Sequence, residues 1–112
     1  MKKIMNVYNT EYKLQVNNDE LECRVVAYGY IIEIAVFVNK EWKNTLHYCN
    51  FDGIYDIVDD IISLYENEMK VEFPKELIKQ FDPLVDSIWT CYEKACTESD
   101  ELEEELEKES NK

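Results

Sequence analysis

The hydrophobic pattern of this chain changes period near residue 50, and that change limits the folds open to it. Before it, apolar residues recur at every second position, the repeat of a strand with one buried face. After it they recur at three and four, the repeat of an amphipathic helix. Tyr12, Leu14 and Val16 alternate with Glu11, Lys13 and Gln15. Asn17-Asn18-Asp19 then supplies residues that tolerate turn geometry. Leu21 to Ala27 alternates at first and then becomes apolar on both faces. Gly29 marks a turn or bulge, and Tyr30 to Val38 has the β-branched and aromatic content of a central strand. Asn39-Lys40 reads as a tight turn into Glu41 to Cys49, with Trp42, Leu46 and Tyr48 expected on one side and Lys43, Thr45 and His47 on the other. The first half is therefore a four-strand antiparallel meander.

The second half is helical. Asp52 is positioned to cap a helix whose inner stripe is Ile54, Ile57, Val58, Ile61, Ile62 and Tyr65, fading near residues 67–70. A short helix is expected at about 75–81, behind Pro74. Asp82-Pro83 has the pattern of an Asp N-cap followed by proline in the first turn of a longer helix. A continuous but kinked helix is the competing reading. The inner face of the longer helix would be Leu84, Val85, Ile88, Trp89, Tyr92 and Cys96. A one-sided sheet needs a cover, so the fold class expected is α+β, a two-layer sandwich of an N-terminal four-strand meander under two to three C-terminal helices. The single domain would run over residues 1–97, with an acidic helical or frayed tail over 98–112.

Charge divides along the same line. Residues 1–50 hold six basic and six acidic side chains, whereas residues 51–112 hold six basic and 19 acidic ones and so carry the entire net charge of −13. The helical half should project a negative field, repelled by nucleic acid and by anionic membranes and attracted to a basic protein groove. Asp52, Asp56, Asp59, Asp60 and Glu66 lie along one helix. A step of four residues there rises about 6 Å, against roughly 7 Å between successive phosphates. With Glu101, Glu104 and Glu105 of the tail, they are the candidate partner-binding residues. The partner expected is a basic surface, such as a nuclease or another DNA- or RNA-binding protein. A solvated face that serves only solubility predicts the same charge.

Chemistry finds little to work with. Two glycines leave no phosphate-cradling loop, and neither H-E-x-x-H nor G-x-S-x-G occurs. His47 is the sole histidine; Cys49 stands two residues on, but same-face neighbours in a strand are about 6.6 Å apart, too far for a direct hydrogen bond without distortion. Cys23, Cys49, Cys91 and Cys96 contain no C-x-x-C pair and fall in apolar patterns, as reduced thiols of a cytoplasmic protein would. No catalytic residue, cofactor or metal site is expected. Tyr28, Ile31, Phe37 and Trp42 are candidates for an aromatic patch through which a homodimer would form.

In general character the chain resembles small phage-encoded anti-defence proteins: rich in Asp and Glu, poor in glycine, with a compact α+β body. The resemblance is one of composition, without a diagnostic motif, and transfers no residue roles. It implies an acidic inhibitor or decoy on a nucleic-acid-handling protein. An immunity or antitoxin-type protein against a basic toxin, and a homo-oligomeric structural protein, are the alternatives.

Overall fold

A computed structural model describes residues 6–49 and 56–110, with side chains placed through residue 100. Four antiparallel strands, β1 (Tyr8–Val16), β2 (Asp19–Tyr28), β3 (Ile31–Val38) and β4 (Glu41–Cys49), pair in chain order. Two α-helices follow, α1 (Ile57–Met69) and α2 (Asp82–Ser110), with a 3-10 segment over Lys75–Phe81 between them. The fold is α+β, as the change of period predicts. Asp52 and Ile54 lie outside the described residues, and Asp56 takes the N-cap position of α1 without a side-chain capping bond.

The left-handed backbone of the hairpin turns falls on two asparagines and a glycine, which accept it, and on Lys40, which does so at a cost. Asn17 has φ 57° and Gly29 φ 58°. Asn39 and Lys40 have φ 52° and 68°, the paired positive values that let a two-residue hairpin match the twist of its strands. The Asn39 side chain reinforces this corner, accepting from the Glu20 amide at 2.9 Å and donating to Asp19 at 2.9 Å.

Register puts Leu21, Cys23, Val25 and Ala27 opposite Val38, Val36, Ile34 and Ile32. All eight are at most 2% exposed and form one inner face. Ile57, Ile61 and Tyr65 of α1, and Leu84, Ile88, Tyr92 and Ala95 of α2, join the same core, along with Phe73 and Phe81. Each fully buried aliphatic or aromatic side chain contributes about 1.5–3 kcal/mol of transfer free energy. Val85, Trp89 and Cys96, expected on the inner face of α2, are only partly buried, and Ala95 takes a fully buried place.

One strand departs from simple alternation. Val36 pairs with Asn44 but Phe37 pairs with Trp42, so Lys43 is an extra residue in β4. The bulge reverses the pleat, and Trp42 shares the outer face with Thr45 and His47 instead of the inner face with Leu46 and Tyr48. Its indole N–H donates to the Thr45 hydroxyl at 3.0 Å, and the side chain is 56% exposed.

Asp82 also departs from its expected role. Its backbone is right-handed helical (φ −53°, ψ −46°), so it is not an extended N-cap, and the 3-10 segment runs straight into α2. The Asp82 N–H bonds the Lys79 carbonyl at three-residue spacing, which carries the 3-10 hydrogen bonding up to Asp82; Pro83, having no N–H, could not take that carbonyl four residues back.

Candidate functional site

Two surfaces bring chemistry-bearing side chains together: the outward sides of the helices and the outer face of the sheet. On α1, Asp56 and Asp59 are exposed. Asp60 is half-buried, and its Oδ2 accepts from the Tyr48 hydroxyl of β4 at 2.6 Å. Burial first, then this bond and the Asp60 charge, push the Tyr48 phenol far above its ordinary value. Glu66 also has a structural contact, its Oε2 accepting from the Phe73 amide at 2.9 Å where the chain leaves α1. Of the expected α1 carboxylates, then, two point to solvent, two meet the fold, and Asp52 lies outside the described residues. Glu101, Glu104 and Glu105 continue the backbone of α2; their side chains lie outside the described set.

A line of acid that the sequence reading missed runs along α2. Asp82, Asp86, Glu93 and Asp100 are all exposed. Their offsets of four, seven and seven residues return a helix to nearly the same side, so they span about 27 Å along one flank. Lys94 stands one residue round from this line and is also exposed. The signal was readable as a seven-residue repeat of acid, but it was obscured by the much denser Glu-rich segment that follows. Asp100 accepts from the Tyr30 hydroxyl at 2.5 Å, which ties this end of the line to the β2–β3 turn. Glu98, placed by the sequence at the start of the tail, is only 8% exposed and accepts from the Asn6 amide at 2.8 Å and the Tyr8 hydroxyl at 2.6 Å. The packed body therefore includes Glu98 and its neighbour Ser99, itself 5% exposed.

Ion pairs between described residues join strand side chains: Lys13 with Glu20 and Glu22, Arg24 with Glu22, Lys43 with Glu41, and His47 with Glu33. The exposed carboxylates of Asp56, Asp59, Asp82, Asp86 and Glu93 take part in none of these pairs. No described cation closes a short ion pair with them, and carboxylates outnumber the Lys94 ammonium along that side of α2.

The outer sheet face collects Tyr28, Ile31, Phe37 and Trp42, the residues expected to form an aromatic patch. Register pairs Tyr28 with Ile31 and Phe37 with Trp42. Polar groups interrupt the patch. Arg24 lies over the Phe37 ring at 4.4 Å from its centroid and reaches Glu22 at 3.0 Å. Tyr28 donates to Glu33 Oε1 at 2.9 Å, and the same oxygen is 3.3 Å from His47 Nδ1. His47 Nε2 meets Cys49 Sγ at 3.2 Å, although strand spacing alone argued against that contact. The imidazole leans along the strand and crosses the gap that separates the two backbone positions.

The four cysteines are free thiols. Burial, with Glu22 second, pushes Cys23 up to about 12, and burial also raises Cys91 and Cys96. No helix among the described residues is long and apolar enough to cross a membrane.

No protein-family model, no curated protein and no solved structure matches the chain.

Proposed function

We propose that the chain is a non-catalytic, cytoplasmic binding protein that presents its acidic helices to a basic surface of a nucleic-acid-handling protein, acting as an inhibitor or decoy. In this reading the fold is a two-layer sandwich in which the sheet serves as a platform and the helices form the binding layer. The observation that carries it is the row of exposed carboxylates on α2, Asp82, Asp86, Glu93 and Asp100, together with the exposed Asp56 and Asp59 of α1. Helical spacing holds these charges in fixed relative positions, and cationic side chains on a partner would meet them where they otherwise meet phosphates. Charge of one sign on a rigid surface accelerates encounter with a basic partner and makes the association sensitive to salt. The neutral sheet half would add little to that field.

The test is capture of partners by the intact chain at low and at high salt, followed by competition with double-stranded DNA. The reading expects captured proteins to be released both by salt and by DNA. It also expects them to be lost when Asp86→Lys and Glu93→Lys are combined. Capture that withstands DNA competition and survives both charge reversals would refute it.

A further inference from the structure

Outside the acidic helices, the outer sheet face holds a connected chain of titratable groups. Glu33 and His47 are direct cross-strand partners on β3 and β4. Glu33 Oε1 lies 3.3 Å from His47 Nδ1, and His47 Nε2 lies 3.2 Å from Cys49 Sγ. A carboxylate only accepts, so the Glu33 charge beside Nδ1 favours the tautomer protonated there, in which Nε2 is the acceptor facing the thiol. Tyr28 donates to the same Glu33 oxygen at 2.9 Å and holds the carboxylate in place. This is the order of groups, acid, imidazole and thiol, by which a cysteine is made nucleophilic. The two imidazole nitrogens point at separate partners rather than converging with them on a common point, so the arrangement suits proton transfer better than metal ligation.

Access is open. The His47 side chain is 52% exposed and that of Glu33 37%. Cys49 itself is half-buried at the end of β4, an edge strand of the sheet. The other thiols lack this setting: Cys23 is fully buried, and burial raises the Cys91 and Cys96 thiols above their ordinary value.

We propose that Cys49 is a reactive thiol, with His47 as its base and Glu33 as the positioning residue, and that it exchanges with low-molecular-weight disulfides to place a mixed disulfide on the outer sheet face. His47 Nε2 takes the thiol proton as Cys49 Sγ attacks one sulfur of the small disulfide. The Cys49–sulfur bond forms, the disulfide bond of the reagent breaks, and the departing thiolate recovers the proton from His47. One disulfide is consumed and one is formed, so no further oxidant is needed. The step is a stoichiometric modification of the protein and stands independently of the acidic surface.

The experiment treats the intact reduced chain with oxidised glutathione, and separately with cationic cystamine, and follows each cysteine by peptide mass mapping. Cys49 should acquire its adduct at least about tenfold faster than Cys91 and Cys96 with both reagents, a gap within the usual contribution of a positioned base. That ranking is measured without any substitution and so does not depend on a variant folding. His47→Ala should slow the Cys49 reaction about tenfold, and added imidazole should restore it without changing the Cys91 rate; a merely structural histidine would not respond in this way. If Cys49 reacts no faster than Cys91, or if His47→Ala leaves its rate unchanged, the proposal is overturned.

Discussion

The Tyr48 hydroxyl of β4 donates to Asp60 Oδ2 of α1 at 2.6 Å, joining the last strand to the first helix and turning one carboxylate of that helix toward the sheet. The contact links fold and surface. It adds to the buried stripe of Ile57, Ile61 and Tyr65 that turns one side of α1 inward and leaves Asp56 and Asp59 exposed. A hydrogen bond to an ionised acceptor is stronger than one between neutral groups.

Tyr48→Phe should therefore destabilise the protein by about 1–2 kcal/mol, read as a shift in the urea midpoint. Asp60→Asn should cost a similar amount. The double variant should cost clearly less than the two added together, because the second change removes a partner already lost. Full additivity would mean that the two side chains do not act on each other.

Alkaline pH gives a second check. Tyr48 and Tyr65 are both raised in the folded state, burial being the largest cause for each. A group raised on folding contributes stability that is fully present below its unfolded value and is lost as pH rises toward the folded one. An unfolded tyrosine ionises near pH 10, so the thermal midpoint should fall from about pH 10 upward. Tyr48→Phe should flatten that fall. A wild-type midpoint that stays level to about pH 11 would contradict the buried placement of these phenols.

The turn at Asn39-Lys40 offers a gain in stability. Lys40 holds φ 68°, a region where a side chain is unfavourable and glycine is not. Lys40→Gly creates the Asn-Gly pair preferred in such hairpins and should stabilise by about 0.5–1 kcal/mol, measured by chemical denaturation. A loss of stability would indicate that the Lys40 side chain makes a contribution larger than its backbone cost.

Core and surface changes should separate cleanly. Ile61 is fully buried, so Ile61→Ala should cost about 2–5 kcal/mol. Asp86→Lys lies on an exposed flank and should alter stability by no more than about 0.5 kcal/mol. Circular dichroism melts of both, beside partner capture with the second, test whether the acidic line serves binding rather than folding.

The legible part of this protein was what repeats. Alternation announced four strands, the turn residues marked where they reverse, and spacing at three and four identified Ile57, Ile61 and Tyr65 as an inward stripe. Such signals are local, because each depends only on which face of one element meets water. The acidic flank of α2 has the same periodic form, with Asp86, Glu93 and Asp100 seven residues apart ahead of the denser Glu-rich run.

Other features depend on residues far apart in the chain. Lys43 reads as an ordinary strand position, and only pairing with β3 reveals it as the bulge that sends Trp42 outward. Glu98 reads as the first residue of a solvated tail; contact with Asn6 and Tyr8, some ninety residues earlier, buries it. Glu33 reaches His47 because antiparallel register sets them opposite, and the imidazole then leans to Cys49. The sequence by itself determined the elements, their inward faces and the uneven distribution of charge. Register, burial of polar groups and the meeting of distant side chains were decided by the tertiary structure, since those energies exist only once separate elements share one core.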